Sequence, residues 1–377
     1  MPVYSYPYML IALLYFCLFC FEKNCNLSQR IILSIRFNCA IVYVLFFGFS
    51  GLIGSDWYNY YNYYELVSTY AYGDSGFEFG FELLTRVSNF VGLDFYAFKV
   101  LISLIQVYLL DKIISRYSSN VALAYIMLIC FAPLLIVDAF RNFTSILIGF
   151  FSIPLLARGK KISAFIIILI SASFHVTGLL FFCFFIMYKR YFNKQVIGLL
   201  FLVAILFYFM GISTSSIVLT VIDNLPVVSG TYYIKYVTYF IDTQPYGVSF
   251  GIIEKFLLLA LLFMKYEYLT ANRYVNPVIF NSACIYIFIF LLFSDLEFMV
   301  NRFSLMFILG YILTACVVLS VVKIKFNKFV FYSAFFLILL IKVWLSFNVI
   351  IYEYSNSLWE RDDMHIRESN RFFYYEE

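Results

Sequence analysis

Lysine and arginine gather in short clusters between long apolar runs, and that spacing fixes which end of each run faces which side of a membrane. The clusters hold Lys23 and Arg30; Lys112 and Arg116; Arg158, Lys160 and Lys161; Lys189, Arg190 and Lys194; Lys265 and Arg273; and Lys323, Lys325 and Lys328. The linkers at the other ends are neutral or acidic, and residues 55–96 carry Asp56, Glu65, Asp74, Glu78, Glu82 and Asp94. Basic linkers stay in the cytoplasm, so the acidic ones face outward. Apolar runs fall at about 3–21, 31–54, 97–114, 121–138, 139–157, 162–187, 195–212, 248–265, 277–294, 303–322 and 329–346, each near the roughly 20 residues that a helical span needs. The chain is 64% hydrophobic and only 13% charged, whereas a soluble domain is near half apolar and a quarter charged. The expectation is an all-α polytopic membrane protein.

One run breaks the alternation. Residues 162–187 have basic clusters on both sides, and as one helix they would be about 40 Å long, against a hydrocarbon core of roughly 30 Å. Two short helices that enter and return restore the topology, with Ser171-Ala172-Ser173-Phe174-His175 at the apex. Broken helices at membrane depth are tolerated where they line a polar cavity. Counting this re-entrant hairpin as two segments gives about twelve, with both termini outside. The transmembrane domain then covers 1–346, with long outer loops at 55–96 and 213–247. Residues 347–377 form a polar and aromatic outer tail that packs back or touches the interface through Trp359, Phe372, Phe373, Tyr374 and Tyr375. Residues 77–92 place apolar side chains on one side of an interfacial helix. The first run lacks a charged leader and a small-residue cleavage site, and is expected to be retained.

Several chemistries are disfavoured. There is no basic tail of the kind that binds nucleic acid, and no phosphate-binding G-x-x-x-x-G-K-[ST] loop. With two histidines and no H-E-x-x-H, the expectation is no metal and no cofactor. Asp295 and Glu297 come nearest to an acidic pair beside a span. Cys17 and Cys20 have C-x-x-C spacing inside an apolar run, where a small buried hydrophobe is the better reading.

Against that background the polar interruptions stand out. Asp56, Arg141, His175 and Arg302 all fall at or near the outward side, although an ionisable group at a helix centre costs roughly 2.5 kcal/mol or more on insertion scales. Asp56 follows the second apolar run as a candidate N-cap, in Gly54-Ser55-Asp56-Trp57-Tyr58-Asn59-Tyr60. The tyrosines read first as an aromatic belt. The carboxylate reads as a base towards a sugar hydroxyl, with Tyr60 and neighbouring rings against the sugar. Glu78 and Glu82, four residues apart, share one helical face, either solvated at the membrane surface or positioning sugars. Arg141 offers a fork of donors for diphosphate oxygens, or a local ion pair with Asp138. Arg302 suits the same ligand, or serves as a snorkelling anchor. His175 is either a packing histidine or a cavity-facing base.

These residues resemble the EpsG-type polysaccharide polymerases, relatives of the Wzy O-antigen polymerases. The resemblance runs over roughly 50–310, through Gly54-Ser55-Asp56 with Tyr60, Glu78-Phe79-Gly80-Phe81, Phe140-Arg141-Asn142-Phe143, Ser173-Phe174-His175-Val176-Thr177-Gly178 and Asn301-Arg302-Phe303. Asn142 departs from the glutamine-like residue usual after the arginine. The resemblance implies a GT-C-like, metal-independent membrane glycosyltransferase. It would join oligosaccharide repeat units carried on undecaprenyl diphosphate, donor and acceptor alike, at the periplasmic face of a bacterial inner membrane, with a chain-length regulator as an open partner. The alternatives are an O-antigen ligase, a polyprenyl-phosphate-sugar glycosyltransferase, or a lipid-linked oligosaccharide flippase. The absence of a visible repeat and the one-sided polar residues weigh against transport.

Overall fold

A bilayer supplies no water to satisfy amides, so an apolar chain resolves into helices. In the computed structural model all regular elements among the described residues are helical. The structure describes residues 3–24, 28–74, 76–118, 120–210, 214, 250–293, 299–321 and 328–376. The expected outer loop 213–247, the pair Asp295 and Glu297, and the basic residues Lys323 and Lys325 lie outside these residues, Thr214 excepted. Among the described residues three helical stretches are long and apolar enough to cross a membrane, Tyr6–Lys23, Gln29–Gly48 and Phe140–Ala157, and shorter apolar helices accompany them. The chain divides into two compact units: Met1–Phe185 with Ser320–Glu377, and Ile186–Leu319.

The first unit begins with α1 (Tyr6–Asn24) and α2 (Gln29–Tyr43), the latter prolonged by a π-helical turn, Val44–Gly48. Then come α3 (Trp57–Leu66), α4 (Phe79–Phe90), α5 (Phe95–Tyr117), α6 (Val121–Phe131), α7 (Pro133–Val137), α8 (Phe140–Phe150), α9 (Ser152–Ala157) and α10 (Lys161–Phe174). The run 121–138, expected as one span, is broken into α6 and α7. Pro133 opens α7, and a proline has no N–H to donate and clashes with the carbonyl four residues back.

The expected reversal within 162–187 is present. Helix α10 ends at Phe174, His175 is extended (φ −158°, ψ 128°), and a 3₁₀ helix, Val176–Cys183, runs back into α11 (Phe184–Met187). The rings of Phe165 and Phe182, one on each arm, lie 5.3 Å apart. A Cβ on Gly178 would sit 2.7 Å from the Ala172 nitrogen, so the arms approach backbone to backbone where only glycine fits. Reciprocal hydrogen bonds bind the hairpin to α8: Ser145 Oγ donates to Ser171 O (2.8 Å) and Ser171 Oγ to Ser145 O (2.7 Å).

Helix α4 is inverted relative to a soluble helix. Its buried face carries Glu82, Thr85 and Ser88 beside Phe81, while Phe79, Leu83, Val87 and Phe90 form an exposed stripe, Phe90 being 90% exposed. An apolar outer face with a polar inner one is what a helix lying in the membrane interface requires.

The second unit holds α12 (Lys194–Phe209), α13 (Phe250–Met264), α14 (Tyr266–Thr270), α15 (Pro277–Leu292), a π-helical turn Met299–Phe303, a 3₁₀ turn Ser304–Phe307 and most of α16 (Ile308–Val321). Asn276 caps α15 by accepting from the Ile279 amide (2.9 Å), with Pro277 in the first turn, where a missing N–H costs nothing. Helices α12 and α13 and the 3₁₀ turn Ser304–Phe307 pack around α15, and Gly310 lets the start of α16 approach Ser282 closely.

The chain returns to the first unit with α17 (Lys328–Phe347), which stacks on α1 through Tyr8 against Phe347 (3.9 Å) and Phe16 against Phe336 (4.0 Å). The tail packs back through the backbone of Ser355 and Ser357, while Trp359, Phe372, Phe373 and Tyr374, named for that contact from the sequence, are exposed; it ends in α18 (Met364–Glu376).

Candidate functional site

Three elements of the first unit bring the polar residues together. Helix α8 starts with Phe140-Arg141-Asn142, α4 starts after Glu78, and the hairpin apex presents His175-Val176-Thr177. Glu78 links all three. Its Oε2 accepts from Arg141 Nη1, and its Oε1 accepts from the Val176 amide (2.9 Å). Both partners of the ion pair are mostly buried, with 17% of the Arg141 side chain and 22% of the Glu78 side chain exposed. The Arg141 guanidinium also lies over the Phe77 ring (4.8 Å) and near Phe81 (5.8 Å), a placement favoured by the negative face of an aromatic ring. Its Nε is buried with no hydrogen-bond partner. The close approach of α4 to the apex needs Gly80, because a Cβ there would meet Ser173 Oγ at 2.3 Å.

His175 is buried, and its Nδ1 lies 2.6 Å from Thr177 Oγ1. Thr177 Oγ1 in turn donates to Asn142 Oδ1 (3.4 Å). Asn142, the departure from the family pattern, is thus a buried anchor for the apex.

Tyr60 stands inside the neighbouring aromatic cluster, 5% exposed, with its ring 4.2 Å from Phe140 and 5.8 Å from Phe81. Burial raises its hydroxyl pKa above the usual tyrosine value, with the Arg141 guanidinium pulling the other way. Asp56 occupies the N-cap position of α3, but its side chain makes no capping bond. Instead the carboxylate of Asp138, from the turn before α8, takes the amides at this start: Ser55 N–H (2.6 Å) and Asp56 N–H (2.8 Å) donate to Oδ1. The local ion pair considered for Asp138 and Arg141 therefore gives way to two separate duties. Gly54, at φ +89°, allows the approach; a Cβ there would lie 2.3 Å from Asp138 Oδ1. Burial pushes the Asp138 carboxyl up to about 6, against the lowering effect of the Asp56 and Ser55 amides.

Glu82, although one turn from Glu78, serves another purpose. It is 1% exposed, accepts from Arg86 Nε (2.9 Å) and Nη2 (2.7 Å), and meets the Gly73 amide at 3.2 Å. Arg86 further donates to the carbonyls of Val67 and Tyr70, so the pair ties the 67–73 segment to α4. Arg302 belongs to the second unit, on the π-helical turn Met299–Phe303, with its side chain exposed. Single π turns inside helices recur at functional sites.

Sequence reasoning missed two features. The Val176 amide and the Asp138–amide contacts are backbone interactions, which leave no residue signature beyond Gly54. Glu254 and Lys255 sit within a run read as apolar. Lys255 is buried with its Nζ 4.3 Å from the Phe290 ring centre, and the Tyr311 hydroxyl donates to Glu254. The Glu-Lys pair inside an apolar stretch was the available signal. Among the described residues no group of three or more His, Cys, Asp or Glu side chains could hold a metal ion. A cavity of about 350 Å³, lined by Tyr108, Lys112, Arg116, Phe150 and Phe151, lies towards the other ends of α5 and α8 and is separate from the Glu78–Arg141 cluster.

Apolar helices, a helix with an exposed apolar stripe and a mostly buried arginine–carboxylate pair beside a helical hairpin define a helical membrane-embedded protein. The chain belongs to the EpsG family, whose sequence profile matches residues 34–357. Membership indicates a function of the exopolysaccharide or O-antigen polymerase type, glycosyltransferase-like, on lipid-linked saccharides in a membrane. The chain matches no curated protein and no solved structure.

Proposed function

We propose that the protein polymerises oligosaccharide repeat units carried on undecaprenyl diphosphate, at the periplasmic face of a bacterial inner membrane and without a metal. The acceptor unit's hydroxyl oxygen attacks the anomeric carbon of the donor chain. The bond from that carbon to the diphosphate oxygen breaks, and undecaprenyl diphosphate leaves with the bonding electron pair. The hydroxyl proton passes to Asp56 or His175; Asp56, its backbone fixed by Asp138, is the first choice.

The observation that carries this reading is Arg141. A guanidinium at the first turn of α8, mostly buried and backed by aromatic rings, supports this reading, because a site that excludes water strengthens contacts to the charge that develops on a departing diphosphate. Arg302 is assigned the same duty from the sequence. Tyr60 is assigned to positioning the sugar from the sequence.

The test is surface polysaccharide from a strain lacking the gene, complemented with wild type, Arg141→Ala, Arg302→Ala, Asp56→Asn or His175→Ala at matched protein levels. Loss of the long-chain ladder to a single repeat unit, restored by wild type, establishes polymerisation. Removing one preorganised donor typically lowers the rate about 100- to 1,000-fold, so Arg141→Ala should return the single-unit pattern. A wild-type ladder from Arg141→Ala would remove the leaving-group assignment.

A further inference from the structure

Glu78 holds two donors that face one point. One is Arg141 Nη1, whose N–H donates to Oε2; the other is the Val176 amide, 2.9 Å from Oε1. A carboxylate between a guanidinium and a backbone amide has the charge and the acceptor geometry of a phosphoryl group. The guanidinium has a further donor to offer, since Arg141 Nε is buried with no hydrogen-bond partner. The amide belongs to the first residue of an eight-residue 3₁₀ helix. The carboxylate is carried on α4, whose exposed stripe is apolar.

We propose that this carboxylate occupies a phosphoryl subsite, with Arg141 and the Val176 amide as its donors, and that a lipid diphosphate binds by displacing Glu78. This rests on the polymerase reading above and extends it to a named second donor and an internal competitor. Glu78 is then the residue that keeps the subsite filled between turnovers and rejects ligands too weakly charged to displace it.

The competition has a measurable consequence. A subsite filled by its own carboxylate nine-tenths of the time binds an outside ligand about tenfold more weakly than an open one. Glu78→Gln keeps an oxygen for the Val176 amide but removes the charge that holds Arg141. Val176→Pro deletes the amide donor at a first helical position, where proline is well accommodated, and its neighbour His175 already has the extended backbone that precedes proline. The probe is farnesyl diphosphate, titrated into the full-length protein in nanodiscs. Glu78→Gln should bind about tenfold more tightly than wild type. Adding Val176→Pro to Glu78→Gln should cost about tenfold, the value of one hydrogen bond to a charged group. Equal or weaker binding by Glu78→Gln would overturn the proposal and make Glu78 a buttress for Arg141. Unchanged binding on adding Val176→Pro would remove the amide from the subsite. Wild-type binding by Arg141→Ala would overturn both this proposal and the diphosphate role of Arg141.

Discussion

At the scale of single residues, the first unit pairs Arg141 with Glu78 and not with Asp138, the carboxylate three residues before it. Glu78 faces Arg141, whereas Asp138 accepts from amides and hydroxyls, Ser55 Oγ at 3.2 Å and Tyr352 OH at 3.5 Å among them, with the Asp56 carboxylate nearby. Burial without a cation explains why the Asp138 carboxyl is pushed up to about 6. The unfolded chain would release this proton near pH 4. Between those values the folded state holds more protons, so the stability that Asp138 contributes is full below about pH 4 and declines as pH rises through 6. Asp138→Asn keeps an oxygen for the Ser55 and Asp56 amides and cannot ionise. The thermal midpoint of the wild type should therefore fall from pH 5 to pH 7 relative to that of Asp138→Asn. Parallel curves would show that Asp138 stays ionised throughout. Asp138→Ala, which leaves the two amides without their acceptor, should cost roughly 1–3 kcal/mol at pH 5 and less at pH 7, where the wild type has lost part of what Asp138 contributes.

At the scale of elements, the hairpin and the one-sided apolar helix α4 were legible because each leaves a pattern that hydropathy and charge reveal. Two basic clusters around one apolar run demanded a reversal, and the structure places it at His175. What the pattern did not carry was the 3₁₀ winding of the returning arm and the break at Pro133, which depend on close packing and on one missing amide. The hairpin rests on Gly178, whose missing side chain lets the arms meet. Gly178→Val forces a branched side chain against the backbone of Ala172. Overpacking of this kind costs about 1–3 kcal/mol, measurable as a lowered unfolding midpoint in detergent; an unchanged midpoint would show that the arms are free to part. Helix α4 makes a separate prediction. A photoreactive phenylalanine analogue at position 90, the most exposed point of its stripe, should crosslink to lipid acyl chains in native membranes. The same analogue at Glu65, exposed on α3, should not. Equal lipid labelling at the two positions would mean that the stripe of α4 is not what meets the membrane.

At the scale of the whole chain, the sequence puts the segment before Asp56 and the tail on one outer side without pairing them, and the structure joins the two across some three hundred residues. The Gly51 amide donates to Ser355 O (3.0 Å) and the Ser357 amide to Phe49 O (2.8 Å), around an antiparallel bridge between Ser50 and Asn356. Such pairing has no sequence periodicity to announce it, since it involves single residues and backbone atoms only. Lys99 seals the same stretch from α5 by donating to Ser50 O (2.8 Å) and Gly51 O (2.6 Å). Asp362 binds the Leu52 amide (2.5 Å) and is itself held by Arg367, at 2.8 Å, with both side chains buried. The segment leading to Asp56 is thus positioned from the far end of the chain. Removing one member of a buried ion pair leaves an uncompensated charge and costs about 3–5 kcal/mol. Arg367→Ala should therefore lower both the unfolding midpoint and polymer length. Pairing it with Asp362→Asn, which removes the stranded charge, should recover part of the stability. Reduced polymer length with an intact midpoint would show that the tail acts on the placement of Asp56 more than on folding. Wild-type behaviour in both measurements would mean that the Asp56 segment holds its course without the tail.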